Sequence, residues 1–231
     1  YNHSKALVYM SNKLIIFDLD NTILNGDSDY EWIKFLIDSG HVDNDYFSKK
    51  NEYFYNQWTQ GSLDYREWLE FVLLTLKDKK LEQADDLLKH FMTSAIEPII
   101  NIYALRLLHD HFHNNDLMLL ASATNSAIVK PIAARLNFSN VISTEAEIIE
   151  GRYTGKIIGE LALGEGKLSK VKTWMSSNDI NSFENTTFYS DSIYDLPLLS
   201  IVKNPIAVNP DDDLRAVCVK NNWEIIDLPV H

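Results

Sequence analysis

The chain has 231 residues, 45% of them hydrophobic and 23% charged, with 33 Asp+Glu against 21 Lys+Arg and a formal net charge of -12. That length suits one α/β domain, or one domain carrying an insertion, and the acidic excess disfavours nucleic acid and anionic membranes as partners. A single cysteine, Cys218, excludes an intramolecular disulfide and a cysteine-based zinc cluster. No apolar run reaches the roughly 18 residues of a membrane span. Tyr1–Ser4 is polar and unlike a secretory signal. The expected setting is a reducing, cytoplasmic one.

In chain order, Leu14-Ile15-Ile16-Phe17 is a short apolar run ending in acids, as in a buried strand. The stretch 28–97 then changes texture. It holds 13 of the 26 aromatic residues and no proline, and no glycine falls between Gly61 and Gly151. Without those breakers it reads as helices over Tyr30–Ser39, Asp45–Thr59, Leu63–Leu76 and Leu81–Ser94. Leu69, Val72, Leu73 and Leu76 follow the helical i, i+3, i+4, i+7 pattern. The aromatics suit a helical core, or as a group the lining of a substrate pocket.

After Pro98 strands and helices alternate. A helix carries Ile100, Tyr103, Ala104, Leu107 and Leu108 on one side. Strands are expected over Leu117–Ala121, Val141–Ser143, Thr186–Ser190, Pro205–Val208 and Trp223–Ile226. A hairpin is expected over Glu147–Ile158, with Glu150-Gly151 at its turn. Helices fall over Ser126–Leu136, Gly166–Met175, the segment ending at Leu199, and Asp211–Lys220. Such alternation predicts a largely parallel sheet covered on both faces.

Ligands of such sheets gather at the strands' carboxyl ends. Just past the first strand stand Asp18, Asp20 and Thr22; past the second, Ser122; past the fourth, Asp191 and Asp195. Asp18 and Asp20, at i and i+2, point the same way. Their like charges need a proton or a cation between them, and Mg²⁺ with oxygen ligands suits that need. One carboxylate can attack phosphorus and the other can shuttle a proton; a solvated turn is the plainer explanation. Asp191 and Asp195, at i and i+4 on a helix start, suit a metal ligand and a supporting group, or simple helix capping. Ser122 suits phosphate binding or an N-cap. Lys167, in Gly164-Glu165-Gly166-Lys167, suits a phosphoryl oxygen or a solvated surface. His109 and His113, at i and i+4, have a metal-binding spacing, but no third ligand is near. Imidazoles placed at a helix C-terminus account for them.

Taken together, Phe17-Asp18-Leu19-Asp20-Asn21-Thr22, Ser122, Lys167 and Asp191 with Asp195 resemble the four-motif set of the haloacid dehalogenase superfamily. Leu120–Thr124, Gly151–Gly155, Tyr189–Leu199 and Ala207–Asp211 look like its subfamily IB hydrolases, which include phosphoserine phosphatases. The likeness covers nearly the whole chain. It implies a Rossmann-like core, 1–27 with 98–231, and an inserted helical cap, 28–97. It implies Asp18 as nucleophile, Asp20 as general acid/base with its carbonyl on Mg²⁺, and Asp191 as the further metal ligand, supported by Asp195. Ser122, Lys167 and Thr22 would serve the phosphoryl group, and Asp27 would meet a substrate amine, unless it merely caps the Tyr30 helix.

Those phosphatases also carry a cap arginine for a substrate carboxylate. Here an acid, Glu70, or an apolar residue falls at that place, and Arg66 lies out of register. The expected function is thus Mg²⁺-dependent hydrolysis of a small phosphomonoester, phosphoserine-like or another amine-bearing ester such as histidinol phosphate or phosphoethanolamine. An aspartate-phosphorylated receiver-like module is the alternative from another class; a catalytically dead binding protein fits less well, because both Asp18 and Asp20 are retained.

Overall fold

In the computed structural model, residues 13–230 are described; the polar start Tyr1–Ser4 lies outside them. Seven strands form one sheet in the order β4-β3-β2-β1-β5-β6-β7. They are β1 (Leu14–Phe17), β2 (Leu117–Asn125), β3 (Val141–Ile149), β4 (Arg152–Ile158), β5 (Thr186–Ser190), β6 (Asn204–Val208) and β7 (Glu224–Ile226). All neighbours pair in parallel except β3 and β4, so this is the expected α/β architecture.

β1 is central, which explains its unbroken apolar run: every residue from Leu14 to Phe17 is at most 3% exposed. Strand alternation divides them. Ile15 and Phe17 join one core cluster, Leu14 and Ile16 the other. The second cluster is closed by α7 (Glu165–Ser177), the short α8 (Leu196–Leu199) and α9 (Asp212–Asn221). The first is closed by α5 (Ile102–His113), α6 (Ser126–Arg135) and the helices between β1 and β2.

Those inserted helices are α1 (Ser28–Asp38), α2 (Asn44–Thr59), α3 (Tyr65–Leu74) and α4 (Leu81–Phe91). α1 to α3 start at aspartate N-caps, Asp27, Asp43 and Asp64, each accepting from backbone N–H groups. Trp32 and Phe91, both fully buried, meet edge to face at 5.1 Å, and the Trp32 indole donates to Thr75 Oγ1 at 2.9 Å. α4 ends earlier than its apolar pattern predicts, passing into a wider π-type turn over Met92–Ile96.

Two further boundaries differ from expectation. β2 continues through Ser122 to Asn125, so Ser122 lies within the strand, and Asn125 is the N-cap of α6. The N-cap explanation of Ser122 therefore fails. The short strand at Val141–Ser143 and the first arm of the hairpin are one strand, β3. It pairs in parallel with β2 and, beyond a register shift, antiparallel with β4. Glu150 and Gly151 form the turn, both with positive φ, 49° and 72°, as a two-residue hairpin turn requires. The hairpin docks on the insertion: Asp78 N–H donates to the Tyr153 carbonyl and Tyr153 N–H to that of Lys79.

Candidate active site

The sheet register sets the site. Phe17 lies level with Leu120 and Tyr189, so the residues that follow on β1, β2 and β5 emerge together at one edge. Here the chain order also switches sides, with β2 on one flank of β1 and β5 on the other, where α/β sheets open a crevice. A cavity of about 80 Å³ lies there.

Asp18, 7% exposed, follows β1 directly, its N–H donating to the Tyr189 carbonyl. Leu19 turns into the core and Asp20 returns to the cavity. Asp20 Oδ1 accepts from Ser28 N–H at 2.7 Å and Oδ2 from Thr124 Oγ1 at 2.8 Å. Burial pushes the Asp18 carboxyl up to about 7; the Lys167 ammonium pulls it down, and the Asp195 and Asp20 charges push it further up. Burial and the Asp27 charge likewise raise Asp20 to about 7, against the bonds from Ser28 and Thr124. A carboxyl near neutrality can give and retake a proton at ordinary pH.

Lys167, 2% exposed, sits in the first turn of α7. Its ammonium is 2.8 Å from Asp18 Oδ1 and 2.8 Å from Asp195 Oδ2, which also accepts from Ser190 Oγ at 2.7 Å. Burial works against its charge, but Asp18 and Asp195 outweigh burial and hold it above the usual lysine range. The surface-lysine explanation is therefore excluded. Gly166 makes this approach possible: a Cβ there would lie 2.1 Å from the Leu161 carbonyl oxygen.

Asp191 reaches the cavity from the β5 end, and Thr22 Oγ1 lies 3.3 Å from its Oδ1. Burial first, then Asp18 and Asp195, raises its pKa well above the ordinary value. Side-chain capping accounts for neither Asp191 nor Asp195. Ser192 caps the short 3₁₀ turn over Ile193–Asp195, and Asp195 makes no side-chain cap bond to α8. Asp27 does cap α1, accepting from Tyr30 N–H at 2.7 Å, and also lines the cavity.

Asp18, Asp20, Asp27, Lys167, Asp191 and Asp195 thus converge on one cavity, while Ser122 and Thr22 stand behind its lining. Ser122 Oγ accepts from Thr124 N–H at 3.1 Å, and Ala123 and Thr124 form the wall in front. His109 and His113 lie in the last turns of α5, away from this cavity. Among the described residues no three His, Cys, Asp or Glu side chains cluster as a metal centre. A cation held here would take part of its shell from backbone, water and substrate oxygens, as Mg²⁺ commonly does. The oxygen-only donors and the surplus of carboxylates over one lysine fit such an ion.

Sequence reasoning missed Asp29 and Thr124. Asp29, 2% exposed, accepts from Asn125 Nδ2 at 2.8 Å, and Thr124 holds Asp20. Trp58, Tyr65, Trp68 and Tyr194 also reach the cavity. Three of these belong to the aromatic-rich insertion, whose group reading included a pocket. Arg66 points elsewhere, donating to the Gly159 carbonyl, and Glu70 lines a different hollow, whereas Leu69 faces the site.

A mostly parallel α/β sheet with paired aspartates after its central strand, a buried lysine and further aspartates opposite defines a carboxylate-lined α/β protein equipped for phosphoryl transfer. The model of the haloacid dehalogenase-like hydrolase family matches residues 15–200. A histidinol-phosphatase of Neisseria meningitidis is 37% identical over 217 residues, 93% of this chain and 98% of that one. A phosphoserine phosphatase of Mycobacterium tuberculosis is 34% identical over 120 residues, 52% of this chain and 39% of that one. A Bordetella pertussis protein of unknown function superposes with a TM-score of 0.89 at 34% identity, covering 95% of this chain and all of that one. A phospho-aspartyl intermediate analogue of a phosphoserine phosphatase superposes at 0.68 and 18% identity, covering 96% and 95%, and shows the shared fold. The chain belongs to the haloacid dehalogenase-like hydrolase family, and is a phosphoric monoester hydrolase within it.

Proposed function

We propose that this phosphatase hydrolyses a small, amine-bearing phosphomonoester, histidinol phosphate first among the candidates and phosphoserine second, through a phospho-aspartyl intermediate and with Mg²⁺. The observation that carries the reading is the Lys167 ammonium seated between Asp18 and Asp195, in the cavity that Asp20 also lines.

Asp18 attacks phosphorus, an Asp18–phosphorus bond forms, and the ester bond breaks with its electron pair on the leaving oxygen. Asp20 delivers its proton to that oxygen. Asp20 then takes a proton from water as the water attacks phosphorus, releasing phosphate and freeing Asp18. Lys167 holds the phosphoryl oxygens, while Ser122 and Thr22, set behind the lining, brace the wall through Thr124 N–H and Asp191. Asp18, Asp20 and Asp191 would hold Mg²⁺, supported by Asp195, and the ion would supply positive charge to the phosphoryl oxygens in transfer. Asp27 meets the substrate amine. In this reading 28–97 is a cap over a core of 1–27 and 98–231. The setting is cytoplasmic, in keeping with the lone, buried free thiol of Cys218.

Phosphate release from para-nitrophenyl phosphate and from histidinol phosphate tests this, with Mg²⁺ and with excess EDTA, for wild type and Asp18→Asn. The expected result is turnover only in wild type with Mg²⁺. Equal rates in all samples overturn the reading, and phospho-Asp18 persisting for hours without turnover favours a receiver-like module instead.

A further inference from the structure

A second cavity, of about 260 Å³, opens beside Asp27. It shares Asn21, Asp27, Trp58, Tyr65 and Trp68 with the catalytic pocket, so the two are adjoining rooms with a common wall. Its own wall adds Glu31 and a run of rings. Tyr30 and Tyr55 lie 5.5 Å apart between centroids, and Tyr55 and Trp58 5.8 Å. Neither Lys, Arg nor His lines it.

The two acids are placed by the helix. Asp27 is the N-cap of α1 and Glu31 stands four residues on, so their side chains share a face. Glu31 has no ion-pair partner among the described residues: Lys34, one turn further, donates to Asp38 at 2.9 Å. Arg66, the one arginine of the insertion, is committed to the Gly159 carbonyl and Glu70. A carboxylate-bearing head group would thus meet two acids and no cation. A protonated amine would meet two carboxylates, and a flat cationic ring would also meet the faces of aromatic rings. The volume is several times the roughly 30 Å³ of one water. An ethanolamine or serine head group is far smaller than this volume and would leave most of it empty.

We infer that this chamber is a recognition site for the far end of the substrate, and that it selects a flat ring bearing an amine through Glu31, Asp27 and the Tyr55–Trp58 wall. The inference rests on the phosphatase reading above and deepens it. It makes Glu31 and Tyr55, neither of which lines the catalytic pocket, determinants of specificity.

The test compares kcat/KM for histidinol phosphate, phosphoserine, phosphoethanolamine and para-nitrophenyl phosphate, for wild type, Glu31→Gln and Tyr55→Ala. Tyr55 is 48% exposed, so its truncation leaves the core intact. The ratio of histidinol phosphate to para-nitrophenyl phosphate should fall about tenfold in Glu31→Gln and several-fold in Tyr55→Ala, mostly through KM. A second readout needs no turnover. Histidinol, which lacks the phosphate, should change the fluorescence of Trp58 and Trp68 saturably in wild type, and more weakly in Glu31→Gln. Turnover of para-nitrophenyl phosphate with the ratio unmoved in both variants overturns the chamber and leaves the phosphatase reading standing. So does a wild-type preference for phosphoserine. No turnover of any ester overturns the phosphatase reading, and the histidinol titration then decides the chamber alone.

Discussion

Lys167→Met keeps the length of the side chain and removes its charge. The ammonium is 2% exposed, 2.8 Å from Asp18 Oδ1, and 2.7 and 2.8 Å from the two oxygens of Asp195. Stripping one partner from a buried ion pair costs roughly 3–5 kcal/mol, out of a typical total stability of about 5–15 kcal/mol. For a chain of this length, about 2–4 °C of melting temperature goes with each kcal/mol. The variant should therefore melt roughly 6–20 °C lower near neutral pH. The deficit should depend on pH with a definite sign. Burial already holds Asp18 up at about 7 against its ordinary 3.8, and without the ammonium it rises further. An acid whose folded pKa lies above its unfolded one binds protons better when folded, so stability is lost as pH climbs between the two values. The limit is about 1.36 kcal/mol per pH unit for one group. Near pH 5 a proton on Asp18 takes the place of the missing cation; as pH climbs past about 7 the deficit grows. Thermal unfolding of both proteins in EDTA, followed by circular dichroism at about pH 5 and about pH 8, measures this. A melting temperature within about 2 °C of wild type at the higher pH refutes the buried-pair argument, as does a larger deficit at the lower pH.

Asp18→Asn should abolish turnover yet raise the melting temperature by a few degrees in EDTA near pH 8, since it removes a carboxylate that burial disfavours while Lys167 keeps Asp195 as its ion-pair partner; calorimetry showing a fall would make Asp18 a structural residue. Thr124→Val leaves Asp20 Oδ2 without its 2.8 Å donor. That bond favours the charged carboxylate, so the kcat limb reporting a protonated Asp20 should move to higher pH; a pH–rate profile that stays put counts against Asp20 as the acid. Gly166→Ala forces a Cβ against the Leu161 carbonyl. Overpacking of this kind costs roughly 1–3 kcal/mol, and the melting temperature should drop while the Lys167-dependent turnover falls with it; an unchanged melting curve would show that the first turn of α7 can shift freely.

What could be read from the chain followed from regularities that survive folding. Leu14–Phe17 is apolar throughout because β1 is covered on both faces, and the i, i+2 spacing of Asp18 and Asp20 brings both back to one cavity. The extent of β2 was hidden because Ala121-Ser122-Ala123-Thr124-Asn125 is small and polar, a composition shared with loops. β3 looked broken because it changes partner midway, from β2 to β4, and its exposure pattern changes with it. The aromatics of α2 and α3 fall at helical spacings whether they face a core or a chamber. Phe71 is core, Trp58 and Tyr65 line the catalytic cavity, and Phe54 belongs to the core while bordering the chamber; only the tertiary arrangement separates them. Asp29 and Thr124 gave no signal, because each owes its place to a partner distant in the chain, Asn125 or Asp20.

The net charge of -12 also acquires a local meaning. Asp18, Asp20, Asp27, Asp29, Asp191 and Asp195 all border the catalytic cavity, against Lys167 alone among lysines and arginines. So many carboxylates cannot all be ionised in a buried space, and burial raises Asp18, Asp20, Asp27, Asp29 and Asp191 together. The site therefore reaches a stable charge by holding protons or by taking a cation. Both routes serve phosphoryl transfer, since a held proton is ready for the leaving oxygen and a cation draws in the phosphoryl group. The same surplus extends through Asp27 to Glu31 in the adjoining chamber, where no lysine or arginine offsets it. A dianionic ester alone would meet repulsion on the way in. On the proposed reading, an ester that carries its own amine would bring the countercharge with it, and affinity and selectivity would come from the same pair of acids.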